Sequence, residues 1–196
     1  MSHELLLALI GFAFATSVTP GPNNMMLLAS GVNFGFRRTI PHMLGISLGH
    51  AFMVFLVGIG IAGIFGKIPA LALGLKIASV AYMLWLAWKI ANAAPPQEGV
   101  KAGNPFTFIQ AAAFQWVNPK AWAMALTAVT VYAADPSTAS MAVVALVFCG
   151  VNFPSVSLWA YAGQALRRWL TTNRRLVIFN RTMAILLVIS LWPVLA

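Results

Sequence analysis

Thr19-Pro20-Gly21-Pro22-Asn23-Asn24 sits inside an apolar run that starts at Leu5 and reaches Val32. The run is long enough to cross a bilayer. Pro20 and Pro22 cannot donate backbone hydrogen bonds, and their rings clash with the preceding turn. Gly21 adds backbone freedom. In hydrocarbon each freed carbonyl costs several kcal/mol unless the protein satisfies it, so a broken helix is tolerated mainly where it lines a cavity. A plain proline kink is the simpler alternative. Two prolines, a glycine and two asparagines in one short stretch argue instead for a built break.

The rest of the chain has the same character. Of 196 residues, 61% are hydrophobic and 8% charged. Apolar runs of spanning length recur almost throughout, which predicts an all-α membrane protein of one domain, residues 1–196. Six spans are expected, near 4–33, 42–65, 69–92, 105–133, 138–164 and 177–195. A net charge of +9 would suggest nucleic acid for a soluble protein. Here the charges fall in short connections, so the bilayer is the expected partner and nucleic acid is not. Cys149 is the single cysteine and cannot form an intrachain disulfide, so it is read as a small core residue. Met1-Ser2-His3-Glu4 lacks the basic region of a secretory signal, and the first run is expected to be retained as a helix.

Charge placement gives an orientation. Arg37 and Arg38 follow span one, Lys89 and Lys101 follow span three, and Arg167, Arg168, Arg174, Arg175 and Arg181 follow span five. The other side has Lys67 alone, with Glu4 and Asp135. The positive-inside rule then puts the basic loops in the cytoplasm and both termini in the periplasm. Asn180-Arg181-Thr182 matches a glycosylation acceptor, but on the cytoplasmic side it is discounted.

Span four repeats the oddity of span one. Trp116-Val117-Asn118-Pro119-Lys120 interrupts it, and Asn118 followed by Pro119 is a good N-cap and first helical residue. Pro22 and Pro119 stand 97 residues apart, almost half the chain. Three spans per half make the second half enter the membrane in the opposite sense. Interrupted helices at matching places point to a 3+3 inverted repeat, with pseudo-repeats near 1–98 and 99–196 and a site at the midplane.

The motifs, taken in order, resemble the LysE/RhtB family of amino-acid exporters. Thr19-Pro-Gly-Pro-Asn23 and Asn118-Pro-Lys-Ala121 look like its two signatures. Phe34-Gly-Phe-Arg-Arg38 with Gly45 and Gly49 looks like its second region, and Ala81-Tyr-Met-Leu-Trp-Leu-Ala-Trp-Lys89 like its third. The resemblance covers essentially the whole chain, and the wording of the first and third is similar to the cysteine and O-acetylserine branch. Ala87 departs from a frequent glycine, which bears on packing more than on chemistry. The resemblance implies secondary-active export of small amino acids or close derivatives across the bacterial inner membrane, drawing on the proton motive force. It implies no cofactor and no metal, and leaves homo-oligomerisation open.

An amino acid brings a carboxylate and an ammonium. Half-helices starting near Asn23 and at Pro119 present free N–H groups and positive dipole ends, which suit the carboxylate. Lys120 adds a full charge at a depth where a lysine is expensive; the alternative is a structural lysine that caps carbonyls of the break. No acid lies mid-span, because Glu4, Glu98 and Asp135 are near ends or in loops. The ammonium is then left the freed carbonyls of residues 15–18 and 114–117, with Asn23, Asn24, Gln115 and Asn152. The expected substrate-binding set is Thr19, Pro20, Gly21, Pro22, Asn23, Asn24, Gln115, Asn118, Pro119, Lys120 and Asn152. It favours a zwitterionic or neutral substrate. His50, read as the only mid-span histidine, is the candidate for proton coupling or else a packing residue. Lys76 is expected to snorkel outward. Asn152-Phe153-Pro154-Ser155 is read as interrupting span five, where it either lines the cavity or makes a simple kink.

Two other functions are weighed. A transporter of the same build could carry another small polar metabolite or a quaternary amine. Gly45-Ile46-Ser47-Leu48-Gly49, followed by His50, also matches the hydrolase pattern G-x-S-x-G. That elbow needs a strand-to-helix turn, and this segment is an apolar helix. Gly45 and Gly49 are better read as a small-residue packing face. No zinc, phosphate-loop or haem motif is seen, and an enzyme is not expected.

Overall fold

In the computed structural model, residues 1–61, 68–93 and 103–192 are described, and every regular element among them is helical. α1 is His3–Val18 and α2 is Pro22–Phe34. α3, Phe36–Leu56, runs into a π-helical turn at Val57–Ile61. α4 is Pro69–Ala91. α5, Phe108–Phe114, passes through a 3₁₀ turn at Gln115–Val117 before α6, Pro119–Val131. α7 is Thr138–Leu166 and α8 is Asn173–Ile189.

Local chemistry sets these starts. Ser2, Thr107, Ser137 and Thr172 are N-caps whose hydroxyls accept from Leu5, Gln110, Ser140 and Arg175 backbone N–H groups. Gln110 answers Thr107 with a reciprocal bond to its N–H at 3.1 Å, closing a capping box. Between α2 and α3 there is one residue, Gly35, at φ +79°, where glycine is needed. Gln164 of α7 accepts from the Phe36 N–H there at 2.7 Å.

α7 is the centre of the packing and touches α1, α2 and α3; α3 also packs on α5, and α4 on α8. Close approach relies on small residues, as expected where lipid supplies no hydrophobic drive between helices. A Cβ on Gly31 of α2 would collide with the Ala160 carbonyl of α7, and one on Gly163 with the Leu28 carbonyl. A Cβ on Gly45 would stand 2.7 Å from Ala111 Cβ, and one on Gly49 2.6 Å from Ala112 Cα. The packing reading of that glycine pair is therefore what the fold uses.

Three described helices are long and apolar enough to cross a membrane, within Phe36–Ile61, Leu73–Ala91 and Thr138–Leu166. The pair His3–Val18 and Pro22–Phe34, bent by 55° at the break, makes a fourth if taken as one span. The basic ends of the bundle gather together. Arg38 donates to the Gly103 carbonyl and Asn104 Oδ1, both at 3.2 Å, and Asn33 pairs with Asn180 at 3.1 Å. Lys67, Glu98, Lys101 and the expected boundary between halves lie outside the described residues.

Two sequence expectations are corrected. α7 runs unbroken through Pro154, so Asn152–Ser155 does not interrupt it. Arg37 and Arg38 stand in the first turn of α3 and not in a loop, because Gly35 alone makes the connection.

Candidate functional site

The two breaks are real and they meet. At the first, Thr19 and Gly21 are extended, at φ −65°, ψ 145° and φ −176°, ψ 177°. At the second, Asn118 is extended, at φ −91°, ψ 109°. Its side chain accepts from the Lys120 N–H at 3.1 Å, so the new helix is capped as its sequence predicts.

The Lys120 side chain crosses from one break to the other. Its ammonium donates to the Thr19 carbonyl at 2.8 Å, the Thr19 hydroxyl at 2.9 Å and the Pro20 carbonyl at 3.3 Å. Gly21 leaves the room: a Cβ there would lie 2.7 Å from Lys120 Cδ. A second tie joins Asn23 of α2 to Gln115 beside the other break. Asn23 Nδ2 donates to Gln115 Oε1 at 2.9 Å, and Gln115 Nε2 returns a bond to Asn23 Oδ1 at 3.2 Å.

The carbonyls freed at the first break are already partnered, against the expectation that they await an ammonium. The Thr19 N–H binds the Ala15 carbonyl and its hydroxyl the Thr16 carbonyl. Asn24 Nδ2 donates to the Ser17 and Thr19 carbonyls, at 2.8 and 2.7 Å. Trp159 of α7 donates to the Val18 carbonyl at 3.0 Å. At the second break Trp122 Nε1 takes the Trp116 carbonyl at 2.8 Å. Burial requires this accounting. Sequence reasoning passed over both tryptophans, although an indole N–H next to a proline break is a natural carbonyl cap.

Around the meeting point is a cavity of about 20 Å³, room for about one water. Gly21, Asn23, Asn24, Asn118, Lys120 and Asn152 line it, together with His50. Thr19, Pro20 and Gln115 reach it only through their bonds to Lys120 and Asn23, while Pro22 and Pro119 act as first residues of their half-helices. Several buried polar atoms here have no partner. They are the Ser17 hydroxyl and His50 Nδ1; Asn152, 4% exposed, also makes no side-chain hydrogen bond. His50 Nε2 lies 3.3 Å from the Ala121 carbonyl. A carbonyl can only accept, so the proton sits on Nε2 and Nδ1 is left as an acceptor.

One more expectation changes. His50 is not the only buried histidine: His42 is 1% exposed, and neither of its ring nitrogens has a partner. It was missed because span two was expected to begin at residue 42, which would have put His42 at the membrane surface. The hydrolase alternative, already disfavoured by the sequence, finds no supporting geometry. The buried Ser47 hydroxyl has no partner, and His50 bonds Ala121 instead. Among the described residues no group of histidine, cysteine and acidic side chains could hold a metal.

No solved structure matches the chain. Cysteine/O-acetylserine efflux proteins do match it. Those of Escherichia coli (strain K12) and Shigella sonnei (strain Ss046) are 35% identical over 193 residues, 96% of this chain and 96% of theirs. That of Escherichia coli O1:K1 / APEC is 34% identical over the same share. The LysE type translocator model matches residues 14–190, a span that takes in both breaks and every residue lining the small cavity. A helical chain whose two proline breaks are tied by Lys120, aligned almost end to end with efflux proteins, belongs to the LysE family of translocators.

Proposed function

We propose that this protein is a secondary-active exporter of small amino acids or close derivatives, of the cysteine and O-acetylserine type, in the bacterial inner membrane. Its site is the junction of the two breaks. One observation carries the reading: Lys120, the one full charge at the junction, has as its partners only neutral oxygens of the opposite break. An incoming carboxylate is a stronger partner for an ammonium than a carbonyl. It replaces the Thr19 and Pro20 oxygens, and in doing so releases one of the two ties between the breaks. Substrate binding and rearrangement are then one event. A ligand can shift the equilibrium only through such a difference between states.

The ammonium of the substrate meets Asn152, the Ser17 hydroxyl and His50 Nδ1, all neutral. No acid lines the cavity, which favours a zwitterion over a cationic side chain. At about 20 Å³ the cavity holds no amino acid as it stands, so this is a closed arrangement that must widen. Asn23 and Gln115, bonded to each other, are the second tie to open. His50 is the proton-coupling candidate, through its unpartnered Nδ1.

The wider reading is of one domain, 1–196, with six spans in a 3+3 inverted repeat and both termini periplasmic. The proton motive force drives it. The matching breaks and the gathered basic ends support this arrangement. The test is efflux of a panel of labelled amino acids, and of a quaternary amine, from loaded vesicles with and without a proton gradient. Gradient-dependent export of small neutral amino acids is expected. Export of the quaternary amine in their place, or rates indifferent to the gradient, would refute it.

A further inference from the structure

A second and larger cavity, about 460 Å³, lies at the basic end of the bundle between α2, α3, α4 and residues 103–106. Its volume is in the range of small-molecule sites. On α2 it is lined by Met26, Ala29, Ser30 and Asn33, which share one helical face. One turn earlier on that helix, Asn23 lines the small cavity. A single stripe of α2 thus runs from one cavity to the other, with buried Met26 packed in the same cluster as Phe114 at the point of passage.

Two groups in the larger cavity have no polar partner among the described residues. His42 is buried and neither ring nitrogen is bonded; its ring lies 5.3 Å from that of Phe106. Leaving such a group unsatisfied is costly, and the neutral imidazole offers one donor and one acceptor. Lys89 is exposed, and its ammonium rests over the rings of Trp85 and Phe106, 5.2 and 5.3 Å from their centroids, with no oxygen partner among the described residues. Among the described residues the lining holds no acid.

We propose that this cavity is a loading site for the zwitterionic substrate. Lys89 takes the carboxylate and His42 accepts a hydrogen bond from the ammonium, before the substrate moves along α2 to the junction. The proposal rests on the amino-acid export reading, and it makes the basic end the side of uptake. Trp85 and Phe106, already under the Lys89 ammonium, hold it in the wall without neutralising it.

The test is efflux of radiolabelled L-cysteine, kept reduced, from vesicles loaded over a range of internal concentrations. Lys89→Met and His42→Phe are each expected to raise the half-saturating concentration about tenfold, the loss of one charge-assisted contact. Their maximal rates should fall less than about twofold. Lys89→Arg should recover most of the affinity. A purely structural role would lower the maximal rate and the yield of folded protein, and would leave the half-saturating concentration where it was. If His42→Phe does not fold, Lys89→Met at the exposed end of α4 carries the test. An unchanged half-saturating concentration in Lys89→Met, with the wild type active, overturns the loading site and leaves the export reading intact. An inactive wild type overturns both.

Discussion

Asn24 shows how much at this site depends on single side chains. Its amide donates to two carbonyls of the broken helix, and the Ser17 carbonyl has no other partner outside the helix. Asn24→Leu keeps the volume and removes both bonds. It should destabilise the protein by about 1–3 kcal/mol, the cost of a buried polar group left unmade. Unfolding in mixed micelles measures this, and an unchanged midpoint would mean that water caps the break instead. Lys120 was legible in the sequence as a charge at a costly depth. Its contacts were not, because the choice between a carboxylate partner and a carbonyl cap depends on where a residue 101 positions away lies. The caps from Trp159 and Trp122 escaped notice for the same reason: one comes from a helix 141 positions away in sequence.

At the scale of elements, proline, glycine and asparagine were strong signals. Both breaks, the Asn118 cap and the start of α6 at Pro119 fell where the sequence put them. Pro154 misled, since a lone proline within a 29-residue helix is absorbed without ending it. The glycines of the α2–α7 contact give a sharp prediction. Gly31→Ala should destabilise by roughly 2 kcal/mol or more, because its methyl meets backbone that cannot yield. Gly150→Ala, on the same α7 but facing open space, should be neutral or mildly stabilising through better helix propensity. Equal effects of the two substitutions on the unfolding midpoint would show that this interface is looser than described.

For the whole molecule, hydropathy made the membrane class plain, and the charge bias predicts an orientation; Arg38 bonds Gly103 and Asn33 bonds Asn180 at one end of the bundle. Cysteines at Ser2 and Pro136 should react with an impermeant thiol reagent added to intact cells, and one at Thr171 should not. Labelling of position 171 from outside would reverse the topology. The central claim is that Lys120 exchanges its carbonyl partners for the substrate carboxylate. It is tested most directly by comparing efflux of L-cysteine and of its decarboxylated amine, cysteamine, from vesicles holding matched amounts of wild type or Lys120→Met. The wild type should export the amino acid and leave the amine behind, and Lys120→Met, folded but without the charge, should export neither. Cysteamine leaving the wild type as fast as cysteine, or Lys120→Met exporting cysteine at the wild-type rate, would contradict the account and leave Lys120 as a cap on the broken helix.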